Sequence, residues 1–167
     1  MTYNTLENAV RSAACKTLGA RSKDFDKWLV TCDPHEDIEI DDFDLGTSVE
    51  LSFDPPISPF QYFSSDVVFY VSVHDDGIGD VQVFFGNSCS DPDEAECAKE
   101  SFYDEALGNW YIEEAFERDL GLHLMREFEF DSESEPDLRV KIADCFAELC
   151  KPMISNTLRS FIHYFED

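Results

Sequence analysis

The clearest structural signal in the chain is the stretch Asp66–Gly86, which reads DVVFYVSVHDDGIGDVQVFFG. Its two apolar runs, Asp66–His74 and Asp80–Gly86, are rich in Val and Phe, which are enriched in β-strands. They are joined by Asp75–Gly79, a short connection with two glycines that favours an antiparallel hairpin over a crossover. Because the first run carries apolar side chains on both faces, we expect a central strand covered on both sides.

Further strands are predicted on either side of this hairpin. Thr47–Asp54 alternates apolar and polar residues, which is typical of a half-exposed antiparallel strand. Leu122–Phe130 alternates in the same way and is predicted to be the last strand. His35–Asp44 is interpreted as either a short edge strand or an acidic loop. These segments predict a sheet of about four to five strands.

Helical spacing of apolar residues marks the rest of the chain. The predicted helical segments are Asn4–Thr17, Ser22–Cys32, a helix capped by Asp91 or Asp93 and running through Ala106, Trp110–Leu120, and Leu138–Phe165 with a break or kink at Pro152. This order of elements predicts a fold of the α+β class, an antiparallel sheet with helices packed on it.

The length of 167 residues predicts a single acidic α+β domain over residues 1–167. We divide it into consecutive parts by composition and pattern. These parts are a helical start (1–33), an acidic β-rich part (34–92), helices (93–121), a strand (122–130), an acidic linker (131–136) and C-terminal helices (137–165).

The charge of the chain is its most unusual property. From Trp28 to Ala98 there are 17 Asp and Glu and no Lys or Arg, and the whole chain has a formal charge of −25. Its 15 Phe and 43% hydrophobic residues distinguish it from an acidic disordered tail, which has few aromatics. Adaptation to high salt is another origin of such a charge. The charge disfavours binding to nucleic acid or to anionic membranes and predicts a basic protein partner.

No motif for catalysis or cofactor binding is present, so we expect neither an enzyme nor a cofactor. The segment Asp75–Asp80 resembles a calcium loop in its carboxylates but lacks the remaining ligands, including the Glu at the twelfth position. The four histidines are far apart, and none stands at metal-ligand spacing from a Cys or another His. We therefore expect no metal site, and we interpret the six cysteines as reduced thiols.

The chain begins without a basic stretch followed by an apolar one, and it has no run of 18 apolar residues. We therefore expect a cytoplasmic protein, in the host cytoplasm if it is encoded by a phage.

The size of the charge suggests a function. A chain of this length folds to a diameter of about 40 Å, and duplex DNA of that length carries roughly 23 phosphates, close to the net charge of −25. The first hypothesis is therefore a nucleic-acid-mimicking inhibitor that occupies the basic cleft of a DNA- or RNA-binding protein. Such a DNA mimic would suit a viral or mobile-element protein acting as an anti-restriction or anti-CRISPR factor.

The alternative hypothesis is an acidic immunity protein or antitoxin that masks a basic toxin, or a secretion chaperone. The partner is a basic protein under each hypothesis. The chaperone would bind an unfolded segment through the aromatics around Phe60–Phe63, whereas the other hypotheses place the site on carboxylates. The candidate partner-binding residues are Glu36, Asp37, Glu39, Asp41, Asp42, Asp44, Asp75, Asp76, Asp80, Asp91, Asp93, Glu94, Glu96, Glu127, Glu129, Asp131, Glu133 and Glu135.

Overall fold

The computed structural model describes residues 3–18, 47–53, 67–74, 76–86, 107–112 and 121–158. In chain order these contain helix α1 (Tyr3–Thr17), strands β1 (Thr47–Phe53), β2 (Val67–Val73), β3 (Ile78–Gly86), β4 (Tyr111–Ile112) and β5 (Gly121–Glu129), and helix α2 (Glu135–Leu149). Residues 152–158 are also helical. The strands form one antiparallel sheet in the order β1-β2-β3-β5-β4. The predicted α+β fold is confirmed.

The predicted hairpin is formed by β2 and β3. Its register places Phe69 opposite Val83 and Val71 opposite Val81, so that these four side chains share one face of the sheet. β3 begins at Ile78, two residues before the predicted start, because the backbone N–H of His74 donates to the carbonyl of Ile78 at 2.8 Å. The ladder therefore extends further into the connection than the sequence pattern indicated.

One face of β2 is buried and the other is not. Val67, Phe69, Val71 and Val73 are buried on the helix side of the sheet. On the opposite face Tyr70 is 39% exposed. The predicted cover is therefore complete on the helix side and only partial on the opposite face, where Val68 and Ser72 are half-buried. Apolar residues on both faces also occur in a strand that lies second from the edge of an antiparallel sheet.

Both helices pack on the same face of the sheet and against each other. Leu6 and Val10 of α1 and Leu138 and Phe146 of α2 are completely buried. The ring of Phe146 meets the ring of Phe69 edge-on, with their centroids 5.1 Å apart. The hydrophobic core therefore lies between the sheet and the two helices, and the opposite face of the sheet is left for polar and half-buried residues.

The predicted helix Trp110–Leu120 is wrong at its start. Tyr111 and Ile112 form the short strand β4, opposite Met125 and Leu124 of β5. Pairing with the edge of β5 satisfies backbone groups of these residues, which outweighs the helical spacing of the segment. The remainder of that segment lies outside the described residues.

The predicted acidic linker 131–136 is partly helical. The side chain of Ser134 caps α2 by accepting a hydrogen bond from the backbone N–H of Asp137 at 3.3 Å, and the helix begins at Glu135. Pro136 stands in its first turn, where a missing N–H costs nothing. At the other end α2 ends at Leu149 and the next helical residues start at Pro152, so the helix is interrupted just before the proline that was predicted to break or kink it.

Several predicted elements lie outside the described residues. They are the helix Ser22–Cys32, the segment His35–Asp44 and the helix capped by Asp91 or Asp93.

Candidate protein-interaction surface

The first part of the candidate surface is the turn between β2 and β3. The side chain of Asp76 accepts a hydrogen bond from the backbone N–H of Ile78 at 3.1 Å, and Asp76 is exposed. Gly77 has a φ of +85°, and a Cβ at this position would lie 2.8 Å from the carbonyl oxygen of Phe130. Both observations require glycine here. The turn therefore holds the Asp76 carboxylate in a defined place against β5.

The second part is the connection between β5 and α2. Asp131 accepts a hydrogen bond from the backbone N–H of Glu133 at 3.0 Å, and its own N–H donates to the carboxylate of Asp137 at 2.8 Å. Asp137 lies in the first turn of α2, where the helix dipole favours a negative charge. The connection is thus ordered by its own carboxylates, which remain largely exposed.

One backbone hydrogen bond brings the two parts together. The N–H of Phe130 donates to the carbonyl of Gly77 at 2.9 Å, and Glu129 lies opposite Ile78 in the ladder. The β2–β3 turn and the β5–α2 connection therefore meet at one end of the sheet. We call this region the acidic end and define it by its seven carboxylates. They belong to Asp76, Glu127, Glu129, Asp131, Glu133, Glu135 and Asp137.

The acidic end has little compensating positive charge. Arg139 pairs with Glu135 at 2.7 Å, in an exposed contact one helical turn apart that contributes little to stability. Within the part of the chain that the structure describes, no other Lys or Arg lies within salt-bridge distance of these seven carboxylates. The region therefore carries seven carboxylates against one guanidinium.

Arg126 belongs to β5 but does not offset this charge. Its side chain is on the helix side of the sheet, between Leu124 and Phe128, and its Nη1 contacts Glu148 of α2 at 2.6 Å. The side chain of Glu148 is only 7% exposed. The Arg126 guanidinium therefore neutralises the buried Glu148 carboxylate, and it does not neutralise the negative charge of the surface beside Glu127.

The buried pair also fixes the turn before β4. The side-chain amide of Asn109 donates to Glu148 at 3.0 Å. Gly108 has a φ of +67°, and a Cβ there would lie 2.6 Å from the same carboxylate. The conformation of the turn 107–110 is therefore held by its contacts with the Glu148 side chain.

Sequence reasoning did not identify this pair, although a signal for it exists. Arg126 occupies an apolar-face position of an alternating strand, and Glu148 lies on the buried stripe of α2 with Cys145 and Leu149. A charged residue at each of two core positions predicts that they pair, because an unpaired buried charge is very costly.

Asp80 is placed differently from the other candidate residues. It is buried, its carboxylate accepts a hydrogen bond from the amide of Gln82 at 2.8 Å, and it lies 4.0 Å from the Nε2 atom of His74. Gln82 in turn contacts the Nε2 atom of His123 at 3.1 Å. This polar row crosses the outer face of the sheet, so the Asp80 carboxylate is engaged internally and is not offered to a partner.

Of the eighteen candidate residues, the structure brings six together at the acidic end, where Asp137 joins them. They are Asp76, Glu127, Glu129, Asp131, Glu133 and Glu135. The others, apart from Asp80, lie outside the described residues. They are Glu36, Asp37, Glu39, Asp41, Asp42, Asp44, Asp75, Asp91, Asp93, Glu94 and Glu96.

The described residues contain no group of three or more His, Cys, Asp or Glu arranged to hold a metal ion. The described Cys145 and Cys150 are free thiols. Burial raises the pKa of Cys145 and of Cys150 to about 11, so these two thiols are poor nucleophiles near neutral pH. Among the helices of the described ranges, none has the length and apolar character needed to cross a membrane.

The fold and the surface define an acidic α+β protein in which seven of the twelve described carboxylates lie together at one end of the sheet. In comparisons with protein-family models, with curated proteins and with solved structures, nothing matches this chain.

Proposed function

We propose that this protein is a nucleic-acid-mimicking inhibitor whose acidic end enters the basic cleft of a DNA- or RNA-binding protein. The observation that carries the proposal is the convergence of seven carboxylates from two chain segments with one compensating guanidinium. A fold needs no such concentration for its own stability, because like charges that are close together repel each other. Such a cluster of carboxylates is typical of a surface that binds Lys and Arg side chains of a partner.

The mechanism is competitive. Exposed carboxylates take the place of phosphates and accept charge-assisted hydrogen bonds from Lys and Arg of the partner. Ile78 and Tyr111, which are 45% and 43% exposed, supply apolar contact area on the same side of the sheet. Apolar and aromatic contacts within a polar rim are common in protein interfaces.

The spacing of the charges supports a mimic that uses several segments at once. Glu127 and Glu129 are alternate residues of one strand and so lie about 6.8 Å apart. One strand of duplex DNA carries a phosphate about every 3.4 Å along the axis, which is twice that linear density. Asp76, Asp131 and Glu133 add charge from the neighbouring turn and connection. The mimicry proposed here is therefore of a charged surface and not of a single strand.

The net charge of −25 argues against direct binding to nucleic acid or to an anionic membrane. A protein of this class acts where its target meets DNA or RNA. We therefore place it in the cytoplasm, and in that of the host if a phage or mobile element encodes it. Restriction or CRISPR nucleases are the natural targets there.

The test is an affinity capture from host lysate at low salt, followed by identification of the bound protein and by competition with duplex DNA. The proposal predicts a nucleic-acid-binding partner that duplex DNA displaces and that elutes as the salt concentration rises. A toxin or secreted effector that duplex DNA does not displace would overturn the proposal in favour of masking or chaperoning.

A pair of matched variants locates the contact. Glu129→Gln with Glu133→Gln removes two carboxylates of the acidic end, and each exposed ion pair contributes about 0.2 to 1 kcal/mol. The affinity for the captured partner should therefore fall roughly 2- to 30-fold.

The control variant, Glu7→Gln with Asp144→Asn, removes two carboxylates of α1 and α2 that lie outside the acidic end. Glu7 pairs with Arg11 one turn along α1, in a partly exposed contact that contributes little to stability, so the control should remain folded. Equal losses of affinity in both variants would show that total charge, and not this surface, binds the partner.

A further inference from the structure

The edge of β5 that faces away from β3 carries backbone N–H and carbonyl groups that do not bond to β3. In an antiparallel ladder, alternate residues direct both backbone groups to the same neighbouring strand. The hydrogen bond from Phe130 N–H to the carbonyl of Gly77 shows that the even-numbered residues of β5 bond towards β3. The odd-numbered residues, including Met125, Glu127 and Glu129, therefore direct their N–H and carbonyl groups to the opposite edge.

The short strand β4 covers only part of that edge. Its two residues pair with Leu124 and Met125. The chain before β4 then turns away, because the N–H of Trp110 donates to Leu107 at 3.1 Å and Asn109 is held by Glu148. Within the described residues, no strand pairs with the edge of β5 from 127 to 129.

The side chains beside this edge determine what can bind there. Glu127 and Glu129 are exposed and lie on the outer face of the sheet, on the same side as Tyr111. Phe128, between them, points to the opposite side and is buried. An added strand would place its alternate side chains next to the two glutamates, with cross-strand Cβ distances of about 5 Å. The residue between them would lie beside Phe128.

We propose that the Glu127–Glu129 edge accepts an extended segment of the partner as an additional β-strand, with a basic–apolar–basic pattern. The inference rests on the proposed function for the basic character of the partner, and it adds the mode of binding. Backbone hydrogen bonds to Glu127 and Glu129 hold the segment, as in other cases of strand addition to a sheet edge. The two glutamates select Lys or Arg opposite them, and the apolar residue contacts the side of Phe128.

The probe is an eight-residue peptide in which Lys and Val alternate, titrated against the full chain. In the proposed register the Lys residues lie opposite the two glutamates, so their N–H groups donate to the edge while the Val N–H groups point away. N-methylation of the four Lys residues removes the two N–H donors that face Glu127 and Glu129 and should weaken binding about 5- to 150-fold. N-methylation of the Val residues keeps charge and mass equal and should change the affinity less than about twofold.

Protein variants and amide exchange complete the test. Glu127→Gln with Glu129→Gln should weaken binding of the unmodified peptide roughly 2- to 30-fold, and the control variant Glu7→Gln with Asp144→Asn should leave it within about twofold. Hydrogen exchange of the Glu127 and Glu129 amides should slow at least tenfold in the complex, since both become hydrogen-bonded.

Three outcomes would overturn the strand-addition proposal. Equal binding of both N-methylated peptides would show a purely electrostatic contact, which leaves the proposed function intact. If the backbone amides of residues 48–52 in β1 exchange more slowly with the peptide present, the peptide binds at the opposite edge of the sheet and not at β5. Failure of the peptide to bind would exclude the edge altogether. If the peptide results hold but no nucleic-acid-binding partner is captured, the edge stands and the proposed function fails.

Discussion

Replacing Arg126 by methionine would leave the Glu148 carboxylate buried without its closest cation. Methionine is unbranched and apolar and matches the aliphatic part of arginine, so the change removes the charge and keeps most of the buried apolar contact. The side chains of Arg126 and Glu148 are only 17% and 7% exposed, and their charged atoms are 2.6 Å apart. The contact therefore has the properties of a buried ion pair and not of a surface one.

The magnitude follows from the loss of one partner. Removal of one member of a buried pair costs about 3 to 5 kcal/mol. Asn109 still donates to Glu148 and Lys151 lies 3.8 Å from it, so we expect the lower end, about 3 kcal/mol. For a chain of this size that loss lowers the melting temperature by roughly 6 to 12 °C.

The assay is urea unfolding followed by circular dichroism for Arg126→Met, Glu148→Leu and the double variant. The double variant should recover most of the loss, because no charge is then left unpaired in the core. Arg139→Met, which breaks the exposed pair with Glu135, is the control and should cost less than about 0.5 kcal/mol. A cost below about 1 kcal/mol for Arg126→Met, or additive losses in the double variant, would refute the reasoning.

Two further predictions concern the turn of the hairpin and the thiols. Gly77→Ala should destabilise the protein by about 1 to 2 kcal/mol in the same unfolding assay, because φ is +85° and the new Cβ would crowd a backbone carbonyl. Cys145 should react with iodoacetamide at pH 8 about 100-fold more slowly than a free thiol, since burial raises its pKa to about 11. Cys15, which is exposed, should be alkylated first.

These two predictions have clear controls. For the hairpin, alanine at the neighbouring exposed Ile78 tests whether any change in the turn has the same effect, and an equal loss there would contradict the steric argument. For the thiols, alkylation in urea should make Cys15 and Cys145 equally reactive. Equal rates in the folded protein would mean that Cys145 is not protected by burial.

Much of the fold could be predicted from local periodicity. Alternation identified β1 and β5, the two Val-rich runs identified the β2–β3 hairpin, and the stripe of Leu138, Ile142 and Phe146 identified α2. These signals are local because each depends on which residues of a segment share a face. The same reasoning failed at Tyr111 and Ile112, where pairing with β5 overrides helical spacing.

The grouping of the candidate residues could not be predicted from the sequence, for a physical reason. The composition indicated carboxylates as the candidate functional groups, but it gave no basis for distinguishing one carboxylate from another. Only the structure distinguishes Asp80, which is engaged with Gln82, from Asp76, which is exposed at the turn. The burial of a side chain depends on neighbours that are distant in sequence. The sequence around Asp80 therefore did not show that its carboxylate is buried.

The sequence by itself determined the class of fold, the negative charge and the elements that local periodicity specifies. The tertiary structure decided which of those elements meet. It brought the Asp76 turn beside the β5–α2 connection through one bond between Phe130 and Gly77, and it turned Arg126 inward to Glu148. Strand order and long-range pairing arise from the packing of the whole core, which local patterns do not encode.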